Sequence, residues 1–215
     1  MNDLLDETKT ITPLTDKEVF NKIWLNPRKV FEFIHLYKFD KFMVLLIILN
    51  GISNSFDKAV SKDLFDIKSL PVTLLIIILG GIISGFIGFY FYSAFVSWTG
   101  NWLRGKASTS EIVRVLAYGS LPSVGSLVLV ILQLIIFRGY LSTTDGLLYD
   151  SFNVSNLLLL FFLLLELILS IWSIVLTVVG VAVVQDFSIG KAIFNLILPV
   201  LILTVIFVPF LFLLQ

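Results

Sequence analysis

The sequence predicts an all-α fold, a polytopic membrane helix bundle of five transmembrane helices preceded by a short cytoplasmic or interfacial amphipathic helix. Three observations carry this. Hydrophobic residues make up 58% of the 215 residues and charged residues 14%, against about 25% charged in an ordinary soluble domain. The mean hydropathy is +1.01. The charges gather in the first quarter of the chain and in short loops, leaving apolar stretches long enough to cross a bilayer.

The N-terminal stretch over residues 1–21 is polar and reads as a flexible cytoplasmic segment, without the basic start and apolar core of a cleavable signal. Within it, Thr15 followed by Glu18 is a capping-box pattern that starts a short helix through Val19, Phe20, Ile23 and Trp24. Asn26-Pro27 reads as an N-cap with proline at the first helical position. The helix over 24–41 mixes Val30, Phe31, Phe33, Ile34 and Tyr37 with Arg28, Lys29, Lys38 and Lys41, a composition suited to the headgroup layer. Its alternative is a helix folded against the protein's own cytoplasmic loops.

The membrane domain, 22–215, then carries spans at about 42–56, 71–98, 118–137, 157–184 and 192–214. The first is short and diluted by Asn50, Ser53, Asn54 and Ser55, and the second carries Gly81, Gly85 and Gly88 on one face. Small residues at that spacing let helix backbones approach closely, within one chain or between two copies. The third begins with Pro122 and carries Ser123, Ser126 and Gln133, and the fifth contains Pro199 and Pro209, which should kink or loosen it.

The fourth span is the most informative. Its apolar run contains one carboxylate, Glu166, and Ser170, Ser173, Thr177 and Gly180 follow at helical spacing, forming one stripe. Such a stripe should face protein or a water-filled cavity while the other faces meet lipid. Glu166 lies near mid-membrane depth, where an ionised carboxylate is costly and must be protonated, paired or hydrated. On these boundaries no lysine or arginine lies inside a span and no second carboxylate accompanies Glu166. Gln133, Ser123 and Ser126 are its best hydrogen-bond candidates.

Lysine and arginine counts orient the chain. Seven precede the first span, and the four following loops hold three, three, one and one, so with five spans 11 lie on the N-terminal side and 4 on the other. The positive-inside rule then places the N-terminus in the cytoplasm. Zero net charge gives no broad basic surface, so nucleic acid is not an expected partner. With no cysteine, and His35 as the only histidine, neither a thiol nucleophile nor a multi-histidine metal site can be built within the chain. No nucleophile–base pair is visible at membrane depth, so neither catalysis nor a cofactor is expected.

The stretch over 98–126, with Gly105-Lys106, Arg114, Ala117-Tyr118 and Pro122, resembles the Yip family of Ypt/Rab-GTPase-interacting membrane proteins. So does the stretch over 171–199, with Trp172-Ser173, Gln185, Phe187-Ser188, Lys191-Ala192 and Pro199, and more faintly the one over 23–34, with Trp24, Pro27 and Phe31. The resemblance implies five spans, a cytoplasmic N-terminus and a non-enzymatic organiser or adaptor role, with small-GTPase interaction and membrane traffic in eukaryotic relatives. Those relatives carry a longer cytosolic N-terminal region, and the 41 residues before the first span here put GTPase binding in doubt. The short form looks like a prokaryotic member in the cytoplasmic membrane, the Golgi or ER membrane being the alternative for a eukaryotic chain. Besides the bilayer, partners would be membrane proteins or a second copy, binding the N-terminal segment or the loop with Arg104, Lys106 and Arg114. The competing reading is a small proton- or ion-coupled transporter or channel built on Glu166.

Overall fold

A computed structural model of the chain describes residues 13–136 and 154–213. The expected flexible segment 1–21 is therefore described only from Pro13 onward, and the predicted span ends at Phe137 and Leu214 lie outside the described residues. Every described element is helical: α1 Asp16–Lys22, α2 Pro27–Tyr37, α3 Met43–Ser61, α4 Leu64–Ile67, α5 Leu70–Trp102, α6 Thr109–Gly119, α7 Leu121–Ile136, α8 Val154–Gln185 and α9 Ile189–Leu213. Five helical stretches among them are long and apolar enough to cross a membrane, with α6 and α7 joined into one over Thr109–Gln133.

Local chemistry sets the ends of the first helices. Thr15 and Glu18 form the full capping box of α1, and Glu18 also receives the Lys22 ammonium. That hydrogen bond from Lys22, with those from Thr15, holds the Glu18 carboxyl down at about 2. Pro27 occupies the first turn of α2, but the Asn26 side chain makes no capping bond there. Lys38 ends α2 in the left-handed conformation, at φ 48°, and the Phe39 N–H closes back onto the Ile34 carbonyl.

Two span boundaries differ from expectation. α3 runs to Ser61 rather than Phe56, because its polar residues lie within the helix instead of ending it: the Asn54 amide donates to the Asn50 carbonyl and to its side chain. This brings Asp57 and Lys58 into a spanning helix, correcting the reading that no cation lies within a span. The third span starts at Thr109 rather than Tyr118, since Ser108 and Glu111 form a second capping box. The α6–α7 break at Ser120 precedes Pro122, whose missing N–H interrupts the ladder.

α3 and α5 are the most intimately packed pair. A Cβ on Gly51 would lie 2.2 Å from the Gly81 carbonyl oxygen and 2.9 Å from the Gly85 Cα, so the two backbones touch. Gly81 and Gly85 thus pack within the chain. Gly88 does not share their role, as nothing lies within 4 Å of where its Cβ would be.

α8 is the spine, packed on α2, α6, α7 and α9, while α5 packs on α3, α6 and α9. The main core lies toward the end of the bundle that carries α2, with Phe31, Ile34, Val113, Tyr118, Leu176 and Val181 fully or almost fully buried. A smaller cluster of Phe56, Ala59, Ile77 and Val130 holds the opposite end. The apolar face expected to lie in the headgroup layer is instead buried inside the protein: Val30 and Phe31 are 0% exposed, and α2 sits against α8 and α6. Burial against protein satisfies this face, so lipid has no access to it.

Two predictions follow from these contacts. Gly51→Ala should destabilise the protein by about 1–3 kcal/mol, because neither backbone can retreat without opening the α3–α5 interface; thermal unfolding in detergent measures it, and an unchanged midpoint refutes the close approach. Phe31→Ala should cost about 3–5 kcal/mol and raise amide exchange over 27–37 equally with and without anionic lipid. Exchange that depends on anionic lipid would mean that the bilayer holds α2.

Candidate functional site

The seam along α8 brings most of the predicted polar stripe against protein. Gly180 faces α6 and α2, where a Cβ would meet the Val115 side chain at 2.6 Å and the Phe31 ring at 2.9 Å. Thr177 lies over Gly119, whose missing side chain leaves room for the Thr177 hydroxyl. The Ser173 hydroxyl donates to the Gly119 carbonyl at 2.9 Å. Farther along, the Gln133 amide donates to the Glu166 carboxylate at 2.7 Å. Gln133 therefore fills the role foreseen for it.

Other candidates depart from the pattern. Ser170 is exposed and is not part of the seam. Ser126 donates to the Ser123 carbonyl of its own helix at 2.6 Å, and among the described residues it is Gln133, not either serine, that hydrogen-bonds Glu166. The expectation that Glu166 has no second carboxylate nearby also fails, since Asp57 of the lengthened α3 lies within its electrostatic range. Among the described residues no group of three or more His, Cys, Asp or Glu is placed to hold a metal ion.

The densest polar arrangement lies at the α2 end of the bundle and was not singled out as a site. Gln185, the last residue of α8, is 0% exposed. Its side-chain oxygen accepts from the Ala107 N–H at 3.0 Å, and its amide nitrogen donates to the Asn195 side-chain oxygen at 3.4 Å. Asn195, also fully buried, donates to the Val96 carbonyl and to the Thr99 hydroxyl. Gly100 and Gly105 form the slot: a Cβ on either would lie 2.1 Å from the Gln185 amide. The network ties together the end of α5, the turn before α6, the end of α8 and α9. The available signal was two amide side chains within or beside otherwise apolar spans.

The three basic residues assigned to the loop have different fates. Arg104 is exposed, in a left-handed turn at φ 63°. Lys106 pairs with Asp186 at 2.9 Å, which holds the exposed Asp186 carboxyl below the usual range. Arg114 is not a loop residue: it lies in α6, is 8% exposed, and pairs with Asp40. Beside it, the Tyr118 hydroxyl accepts the Phe42 N–H at 3.4 Å, serving an orphan donor at the start of α3. On the outer face of α5, Phe91, Phe95, Trp98 and Trp102 form a ladder of ring contacts, with both tryptophans exposed as in an interfacial belt.

Gln185→Leu keeps roughly the volume but leaves the Ala107 N–H and the Asn195 side chain without this partner. It should cost about 1–3 kcal/mol for each buried group left unsatisfied and speed proteolysis within 103–108. Wild-type protease resistance in this variant would count against the network as the lock of this end.

The Yip1 domain family model matches residues 21–210. No curated protein and no solved structure matches the chain. With the match covering nearly the whole bundle, from the end of α1 through most of α9, this chain belongs to the Yip1 domain family.

Proposed function

We propose that the protein is a non-enzymatic organiser or adaptor of the cytoplasmic membrane, presenting its α2 end to the cytoplasm as a docking platform for other membrane proteins. The observation that supports this most is where the signature-like residues are used. Gln185, Gly105 and Tyr118 all serve to fix the shape of the α2 end through buried hydrogen bonds or close contacts. None is engaged in a nucleophile–base arrangement. A shape maintained so specifically, with exposed Arg104, Lys106, Trp98 and Trp102 at its rim, suits recognition at a membrane surface.

The orientation belongs to the same proposal and rests on the lysine and arginine asymmetry, 11 residues against 4. For a small GTPase as the partner, only the family resemblance speaks.

A second reading, proton- or ion-coupled transport through Glu166, draws on Asp57 lying near the Gln133–Glu166 pair. A carboxylate and an amide within a span, with a second carboxylate toward the span's end, would be a setting for a proton relay. Against it, Glu166 does not line the cleft that runs along α3 and α5.

The natural absence of cysteine makes the test direct. Lys106→Cys should react with a membrane-impermeant maleimide only when the cytoplasmic face is accessible. A photo-crosslinker at Arg104 should trap discrete membrane-protein adducts that one at the lipid-facing Ile83 does not, and Glu166→Gln should leave them unchanged. Labelling from outside overturns the orientation. Identical adduct patterns at the two positions, with pH-dependent flux in liposomes abolished by Glu166→Gln, would replace the organiser with the transporter.

A further inference from the structure

A cleft of about 400 Å³ runs along α3 and α5 and is closed at one end by Leu116, Ser120 and Thr177, within the range of small-ligand sites. Thr177 and Leu116 lie at its α2 end, Gly88 and Phe89 line its α5 wall, and α3 forms its far rim. On that rim Asn50, Asn54 and Lys58 recur every fourth residue, so they form one polar stripe facing the cleft.

Depth can be read from α5. Gly80 lies opposite Ser55, and Ile77 shares a cluster with Phe56 and Ala59, so Lys58 stands level with Ile77. At about 1.5 Å per residue, Ile77 lies about 30 Å from Trp98, the thickness of the hydrocarbon core. With the tryptophan belt at one interface, Lys58 is at the opposite interface, at the mouth of the cleft. Its ammonium is exposed and makes no ion pair among the described residues, although Asp57 is adjacent in sequence.

A cation at a headgroup boundary, above a slot with a polar α3 wall and an apolar stretch at Gly88 and Phe89 on α5, matches the two halves of one molecule. We propose that the cleft binds an anionic phospholipid of the leaflet away from α2, with its phosphate on Lys58 and one acyl chain along Gly88 and Phe89. The bare backbone at Gly88 then makes room for the chain, accounting for a glycine that packs against no helix. The proposal stands apart from the organiser reading and needs only that the bundle spans the bilayer.

Native mass spectrometry tests it on protein reconstituted in mixed phosphatidylglycerol and phosphatidylcholine nanodiscs and released with its bound lipid. The wild type should retain one phosphatidylglycerol in preference to phosphatidylcholine. Lys58→Gln should lower that preference about fivefold, as expected for one lysine near an anionic surface. Lys62→Gln, just beyond the end of α3, should leave it unchanged. Gly88→Leu should lose both lipids without lowering the unfolding temperature, since its Cβ meets nothing within 4 Å. Equal effects of the two lysine variants, or full lipid retention by Gly88→Leu, would overturn the site.

Discussion

The α2 end of the bundle depends on one side-chain amide placed where no side chain competes for the space. Gln185 enters the slot formed by Gly100 and Gly105 and engages the Ala107 N–H and the Asn195 side chain. Inside a membrane protein an amide has no water to fall back on, so its hydrogen bonds are strong when complete and costly when broken. Through Asn195 the same network reaches the Val96 carbonyl and Thr99 on α5. The ends of α5 and α8 and the start of α6 are thereby positioned against α9. The Gln185 side chain, 2.1 Å from where a Cβ would stand on Gly100 or Gly105, is what requires glycine at both positions.

From that anchor, polarity thins along α8. Gly180 packs on Val115 and Phe31, Ser173 bonds the Gly119 backbone, and at the far half Glu166 has the Gln133 amide. Burial follows the same gradient, with the large core cluster near α2 and a small one at the opposite end. Outward-facing residues of α5 and α9 such as Ile83, Ile87, Leu201 and Val205 are exposed and suited to lipid. Local stability tracks buried contacts, and among the described residues these are densest at the α2 end. The proposed docking surface would sit on the α2 half, and the proposed lipid cleft on the other.

Much of this was legible in the residue pattern, because periodicity reports which face of a helix is polar. The existence of five spans, the capping box at Thr15 and the Gly81–Gly85 face of α5 follow from spacing, as does Gln133 as a candidate partner for Glu166. Depth and pairing between distant helices do not. Arg114 reads as a loop cation until α6 is seen to start at Thr109 and to bring it onto Asp40. Asn50 and Asn54 read as the dilution of a span, yet their mutual hydrogen bonds let α3 continue to Ser61 and carry Asp57 and Lys58 with it. The face of α2 reads equally as lipid-binding or protein-binding, since both environments select the same apolar stripe. Gln185 was visible only as part of a resemblance, its role lying in backbone groups that no spacing reveals.

The two ends of the bundle solve one problem in opposite ways. Polar groups within a bilayer must find partners, and at the α2 end they find them inside the chain: Gln185 with Ala107, Asn195 with Thr99, Arg114 with Asp40. At the far end the Asn50–Asn54 pair is satisfied within α3, but Lys58 one turn beyond has no such partner among the described residues. A lysine at this depth is tolerated because its long stem carries the ammonium to the headgroup layer. The cost of placing it there is then offset by the membrane rather than by the protein. The α2 end is therefore specified by its own sequence, and the far end by sequence together with whatever surrounds Lys58.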